Sequence, residues 1–183
     1  MKRFVKLLLL IAFVVPVALS AQKKDYSGEK GYISFSDLSK YESGQRYTEI
    51  ILEDNLLRLA AKFAKHEDPA LSEMISGLKL IQVFVVDVNR DNSKDLEQKV
   101  VQMSDNLMKK NWERIVKIKD RDENVSVLIN LDKDSNIDGL VVVAFDEGQE
   151  ATFVNIVGKI DIETIGRLSD KWDIPHLDKI KSN

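Results

Sequence analysis

The chain has 183 residues, with 27 basic and 30 acidic side chains, a formal net charge of −3 and no cysteine. The missing cysteines exclude a disulfide scaffold, thiol catalysis and a thiolate zinc site. The acidic balance argues against binding to a nucleic-acid backbone, which relies on clustered lysine and arginine. The length suits one domain whose stability comes from packing alone.

The first 21 residues have the pattern of a secretory signal peptide. Lys2, Arg3 and Lys6 precede an apolar run over residues 7–17, and small side chains follow up to Ala21. This order predicts cleavage after Ala21. The run is shorter than the roughly 20 apolar residues of a membrane-spanning helix. We therefore expect export with cleavage, and no membrane span in the remaining chain.

Residues 22–45 are predicted to be a polar leader followed by a docking arm. Residues 22–30 are mostly polar and predict a flexible leader. Tyr32, Ile33 and Phe35 then supply apolar side chains with which residues 31–38 could dock on the domain. The domain itself is predicted over residues 46–183.

A strand is predicted over residues 46–52, and Asp54 is predicted to cap a helix that runs to about residue 65. One stripe of this helix is expected to be buried, with two further apolar residues beside it. The stripe consists of Leu56, Ala60 and Phe63, and its neighbours are Leu57 and Ala64.

The middle of the chain predicts helix, strand and helix again. A short helix begins at Pro69 and ends near Gly77, and a central strand over residues 78–88 follows because its core is apolar on both faces. The longest helix is predicted over residues 93–111, with Ser93 as its cap. Its buried stripe is Leu96, Val100, Met103 and Leu107.

Four strands and a final helix complete the prediction. Short polar loops separate strands at 113–119, 125–131, 137–145 and 151–160, which requires antiparallel neighbours. The helix begins at Asp161 and ends before Pro175; its apolar stripe is Ile162, Ile165, Leu168 and Trp172. The predicted fold is α+β: a largely antiparallel or mixed sheet of five to six strands, with a C-terminal four-strand meander and three to four helices packed on one face.

Several segments resemble the family known as domain of unknown function 4252. They are TFVNIVGKID at 152–161, IGRL at 165–168, LLRLA at 56–60 and ISGL at 75–78. The resemblance covers roughly residues 47–174. It implies a small exported protein of a Gram-negative bacterium, located in the periplasm or cell envelope, with no established activity. The shared motif is structural, so the resemblance carries over no catalytic residue.

Two oxygen-rich loops are candidates for calcium binding. Asp132, Asp134, Asn136 and Asp138 alternate as calcium ligands do, but Ile137 stands where the turn needs glycine, which favours a solvated hairpin loop. The second loop is the better candidate. The twelfth position of the calcium-loop pattern calls for a carboxylate and holds a neutral residue here, so this loop is also explained as a polar loop before a helix. Its residues are Asp87, Asn89, Asp91, Ser93 and Asp95.

No catalytic constellation stands out. His66 and His176 are the only histidines, and neither has the sequence neighbours of a triad or a two-histidine metal site. Asp161 and Glu163 are accounted for by helix capping and first-turn charge. Gly158 and Gly166 stand alone, so no glycine-rich phosphate loop is present. We therefore expect a protein without enzymatic activity and without a cofactor.

A second, apolar face of the meander is the main functional hint. If helices cover one face only, the other needs a cover from the docking arm, a protein partner or a second copy. The residues of this predicted interaction face are Leu128, Leu140, Val142, Phe153 and Val157. The sequence thus predicts a secreted, non-enzymatic interaction module acting through an apolar sheet face. The alternative is an exported protein that binds a small ligand or, weakly, calcium.

Overall fold

The computed structural model describes residues 24–42 and 46–160. The predicted signal peptide and the helix predicted from Asp161 lie outside the described residues. The strands are β1 (Tyr47–Glu53), β2 (Leu78–Asp87), β3 (Trp112–Lys119), β4 (Glu123–Leu131), β5 (Ile137–Asp146) and β6 (Glu150–Ile160). The helices are a 3-10 helix (Ser36–Tyr41), α1 (Asp54–Ala64), α2 (Pro69–Ser76) and α3 (Ser93–Met108).

All six of these strands form one antiparallel sheet with the order β1-β2-β6-β5-β4-β3. The predicted α+β class and the C-terminal meander are confirmed. The meander follows from its short loops, because consecutive strands joined by a few residues pair as antiparallel neighbours. Strand β2 lies between β1 and β6. That interior position explains why its residues are apolar on both faces.

The helices lie on both faces of the sheet, so the prediction that they share one face is wrong. The front face carries Phe84 and Phe153, which pack with Leu96 and Val100 of α3. The back face carries Ile81, which belongs to the cluster around Leu57 of α1. The connections explain the difference. Helix α3 links β2 to the far edge strand β3 and so crosses the front face, whereas α1 and α2 link two adjacent strands.

The segment before β1 is packed on the front face beside α3. Phe35 and Leu38 are buried in the main core, and the ring of Phe35 meets that of Phe84 edge to face at 5.2 Å between centroids. The predicted leader is also anchored, since Tyr26 is 5% exposed and packs with Leu80 and Val157. We call residues 24–41 the arm. The docking arm is therefore present, and it begins earlier than the sequence predicts.

Asn155 ties the arm to the sheet. Its side chain is fully buried on the front face of β6. The backbone N–H of Ile33 donates to its Oδ1 at 2.9 Å, and its Nδ2 donates to the carbonyl oxygen of Gly31 at 2.8 Å. Both backbone groups of the crossing arm thus have partners away from water, as buried polar groups require.

The arm ends in an ionic contact with α3. The Asp95 carboxylate accepts hydrogen bonds from Lys40 Nζ at 2.7 Å and from the Tyr41 hydroxyl at 2.5 Å. The hydrogen bond from Lys40, followed by the one from Tyr41, lowers the pKa of Asp95 below its ordinary value of 3.8. This contact holds the 3-10 helix against the first turn of α3.

Replacing Asp95 by asparagine should lower the free energy of unfolding at neutral pH by less than about 1 kcal/mol, because solvent screens this half-exposed pair. The folded-state pKa is depressed, so the carboxylate stabilises the protein above its unfolded pKa. That contribution is lost as the pH falls through the folded value. Urea unfolding should therefore separate wild type from Asp95→Asn at neutral pH and not at a pH below the folded pKa of Asp95. An equal difference at both pH values would contradict this account.

Candidate interaction surface

The five residues of the predicted interaction face do not share one face of the sheet. Leu128, Phe153 and Val157 are on the front face, fully buried under the arm and α3. Leu140 and Val142 point to the back and are partly exposed. The prediction of one exposed face is therefore wrong. Side chains alternate along a strand, and only the register between strands decides which residues of neighbouring strands meet.

Helix α1 presents a large apolar surface to solvent instead. Leu56 is 52% exposed, Leu59 is 42% exposed and Phe63 is 74% exposed. Their spacing of three and four residues places them on one side of the helix. We call these three residues the outer stripe. Single exposed apolar side chains are common, whereas three adjacent large ones form a patch of the kind that marks contact surfaces.

The buried side of α1 is rotated from the predicted one. Leu57 and Ala61 are buried, while Leu56 and Phe63 of the predicted stripe face solvent. Residue Glu53 occupies the cap position, and Asp54 is the first helical residue. Sequence reasoning missed the rotation because α1 is apolar on two sides, and helical periodicity alone does not show which side packs on the sheet.

Basic residues border the outer stripe. Arg58, Lys62 and Lys65 are exposed on α1. Asp54 is paired with Lys24 and, at 3.9 Å, with Arg58, and it accepts a hydrogen bond from the Tyr26 hydroxyl at 2.9 Å. An otherwise acidic protein therefore presents an apolar stripe with a basic margin. This combination complements a partner surface that is apolar with acidic residues at its edge.

The calcium candidate between β2 and α3 does not assemble. The Asn89 Oδ1 accepts the backbone N–H of Asp91 at 2.9 Å, and the Asn92 Nδ2 donates to the carbonyl oxygen of Asp87 at 2.9 Å. Asp95 faces the arm, and Ser93 is the first residue of α3 rather than its cap. Within the described parts of the chain, no group of three or more acidic or histidine side chains could hold a metal ion. The asparagines shape the loop as turn residues do.

The loop between β4 and β5 is organised as a hairpin turn. The Asp132 Oδ1 accepts backbone N–H groups from Asp134 and Asn136, each at 2.9 Å. The Lys159 Nζ lies 2.6 Å from Asp132 and 2.8 Å from Asp138. The hydrogen bond from Lys159, reinforced by Asn136, lowers the pKa of Asp132 well below its ordinary value. An ammonium group of the protein thus balances the carboxylates of this candidate calcium loop.

The histidines and acidic residues considered for catalysis come next. His66 is exposed in the turn after α1. His176, Asp161 and Glu163 lie outside the described residues.

A groove of about 390 Å³ separates the arm from α3, with polar and apolar residues in its wall. Its lining includes Ile33, Asp37, Lys99, Met103 and Lys110.

The fold and surface define a cysteine-free α+β domain built on one antiparallel sheet, with an apolar stripe on an outer helix. The family model of the Domain of unknown function DUF4252 matches residues 41–168, and the chain belongs to this family. No curated protein and no solved structure matches the chain. Among the residues described, no helix has the length and apolar character needed to cross a membrane.

Proposed function

We propose that the protein is an exported, non-enzymatic interaction module of the bacterial periplasm or cell envelope. The observation that carries the proposal is the outer stripe of α1, formed by Leu56, Leu59 and Phe63. Burying one large apolar side chain is worth about 1.5–3 kcal/mol. Three of them supply a large part of the free energy of a contact with a protein partner or a second copy of the chain, to which the surrounding surface adds the rest.

Export is supported by the signal-peptide pattern of residues 1–21. The absence of cysteine and of a glycine-rich phosphate loop from the sequence supports a role without catalysis. The basic margin formed by Arg58, Lys62 and Lys65 favours a partner whose contact surface has acidic residues at its edge.

Replacing Leu59 and Phe63 together by glutamine should reduce binding at least about 10-fold, since each replacement puts a polar amide in place of apolar area buried in the contact. The measurement is crosslinking of the exported protein in its native envelope, followed by affinity capture. Sedimentation of the purified protein measures binding to a second copy. The fold should tolerate both changes because the two side chains are already exposed.

The matched control replaces Val101 and Met108 of α3 by glutamine. These side chains are 39% and 37% exposed, and they lie on a helix of the opposite face. The control protein should capture the same crosslinked partners as the wild type and should self-associate to the same extent. Equal binding by the α1 double variant and the wild type would show that the outer stripe is not the contact surface.

The groove between the arm and α3 supports a second candidate function, the binding of a small ligand. Lys110 gives it a basic group, Lys99 is paired there with Asp37, and Ile33 and Met103 give it apolar walls. A ligand bound there would raise the melting temperature of the wild type. A bulky replacement, Met103→Trp, should abolish that increase. Calcium should give a flat calorimetric titration, because the oxygen-rich loop has no assembled ligand set.

A further inference from the structure

The two edges of the sheet carry charges of opposite sign on the front face. Strand β1 forms one edge and β3 forms the other. The charged side chains that the strand register assigns to the front are Glu49 and Glu53 on β1, and Arg114, Lys117 and Lys119 on β3. The front of the β1 edge is therefore acidic, and the front of the β3 edge is basic.

Both edges lack partners within residues 24–42 and 46–160. Glu49, Lys117 and Lys119 are exposed, and no ion pair between these described residues involves any of the three. In the same part of the chain, no backbone hydrogen bond joins the outer side of β1 or of β3 to another element. The unpaired N–H and C=O groups of an edge strand can accept a further strand.

Glu49 and Lys117 lie at the two ends of one row of side chains that crosses the whole sheet. The register aligns four front-face residues between them, namely Phe84, Phe153, Val143 and Ser126. Five successive antiparallel pairings join the strands, so β1 and β3 run in opposite directions. A second copy placed beside the first in the same orientation therefore brings its β1 antiparallel to β3, with the row continued across the contact.

The hydrogen-bond pattern of the sheet permits the same pairing, because hydrogen-bonded and non-hydrogen-bonded residue pairs alternate along antiparallel strands. The carbonyl oxygen of Arg46 accepts an N–H of β2 at 3.1 Å, so the backbone of Glu49, an odd number of residues later, points away from β2. The N–H of Asp120 donates to β4 at 2.9 Å, so the backbone of Lys117 points away from β4 by the same rule. Glu49 and Lys117 of two copies can therefore form a hydrogen-bonded pair.

We propose that copies of this chain join head to tail, with β1 of one copy pairing with β3 of the next. The contact places Glu49 opposite Lys117 of the next copy, and Tyr47 opposite its Lys119. Opposite charges on facing residues stabilise antiparallel strands. Because one edge of each terminal copy remains unpaired, the assembly does not close and grows as a filament. The twist of each sheet turns successive copies, so the filament is helical.

The same charges disfavour symmetric dimers formed by two β1 strands or two β3 strands. An antiparallel β1 pair centred on Glu49 places two Glu49 side chains opposite each other, and a pair centred on Ile51 places Glu49 opposite Glu53. A β3 pair brings Lys117 and Lys119 of both copies together. Facing like charges are destabilising. The lysines of β3 therefore prevent pairing with a second β3 and favour pairing with the acidic β1.

An exchange of charges tests the contact in the purified full chain by sedimentation velocity. In the variant Glu49→Lys, the row across the sheet has a basic residue at both ends. In the variant Lys117→Glu with Lys119→Glu, it has an acidic residue at both ends. Each variant alone should associate at least about 10-fold more weakly than the wild type. An equimolar mixture of the two should regain the wild-type association, because acidic and basic edges again face each other.

The wild type should form assemblies whose mean size keeps rising with protein concentration and falls with added salt. A wild type that stays monomeric at every concentration would overturn the proposal. So would assembly that stops at a dimer, or a mixture that associates no better than the separate variants.

Disulfide crosslinking tests the register and decides alone if a charge variant does not fold. The chain has no natural cysteine. Facing residues of a hydrogen-bonded antiparallel pair have Cα atoms about 5.5 Å apart, which suits a disulfide. On mild oxidation, a mixture of Glu49→Cys and Lys117→Cys should give linked heterodimers in higher yield than the linked dimers of either variant alone. Equal yields from the mixture and from Glu49→Cys alone would contradict the head-to-tail pairing.

The proposal does not rest on the proposed function, because the edge contact does not use the outer stripe of α1. The variant Leu59→Gln with Phe63→Gln should keep the association that depends on Glu49 and Lys117. In turn, Glu49→Lys should keep the capture of other proteins through the outer stripe. Failure of one contact is therefore distinguishable from failure of the other.

Discussion

Replacing Asn155 by leucine should lower the free energy of unfolding by about 3 kcal/mol, because two buried backbone groups lose their partners and each costs about 1–3 kcal/mol. These groups are the N–H of Ile33 and the carbonyl oxygen of Gly31. Leucine has nearly the same volume, so the loss reflects hydrogen bonding rather than a cavity. Urea unfolding followed by circular dichroism measures the change.

The matched control is Gln82, which pairs with Asn155 across β2 and β6 and is 8% exposed. Its Oε1 is buried without a hydrogen-bond partner. Replacement by methionine removes an unpaired acceptor and keeps the length of the side chain. Gln82→Met should therefore be neutral or stabilise the protein by up to about 1 kcal/mol. Equal destabilisation by Asn155→Leu and Gln82→Met would show that hydrogen bonding to the arm is not the cause.

Replacing Gly31 by alanine should also destabilise the protein by about 3 kcal/mol, since overpacking of a close backbone contact forces the chain to move. The arm crosses β5 at this point, and a Cβ on Gly31 would lie 2.1 Å from the carbonyl oxygen of Asp138 and 2.6 Å from the Cα of Gly139. Both neighbours are backbone atoms. The arm must therefore lift, and limited proteolysis should cleave the variant between residues 24 and 41.

Gly28 provides the control for this change. A Cβ on Gly28 would meet no atom within 4 Å, so Gly28→Ala should change the free energy of unfolding by less than about 0.5 kcal/mol. It should leave the arm as resistant to protease as in the wild type. If Gly31→Ala were as stable and as resistant as Gly28→Ala, the close crossing of the arm over β5 would not exist.

Much of the secondary structure follows from local pattern. The strand β5 was predicted over residues 137–145 and occupies Ile137–Asp146, because an unbroken apolar run between two polar turns leaves few alternatives. The stripe of α3 is equally clear. Leu96, Val100 and Leu107 are buried, since they belong to the longest apolar stripe of this helix.

The candidate interaction surface was harder to predict from the sequence than the secondary structure. Leu56 and Phe63 are spaced as a buried stripe should be, yet they are exposed because Leu57 and Ala61 form the side that packs on the sheet. The five residues chosen as one interaction face also divide between the two faces. In both cases local spacing is correct, and the missing information is which side a neighbouring element covers.

The sequence by itself determined the α+β class, the order of the elements and the meander, because helical periodicity, strand alternation and short polar turns act over a few residues. Only the tertiary structure decided that β2 pairs with β6, that α3 and α1 pack on opposite faces and that the arm joins the front core. These arrangements depend on contacts between distant residues, such as Asn155 with Gly31 and Ile33. The outer stripe on α1 is the surface that remains exposed once those contacts form.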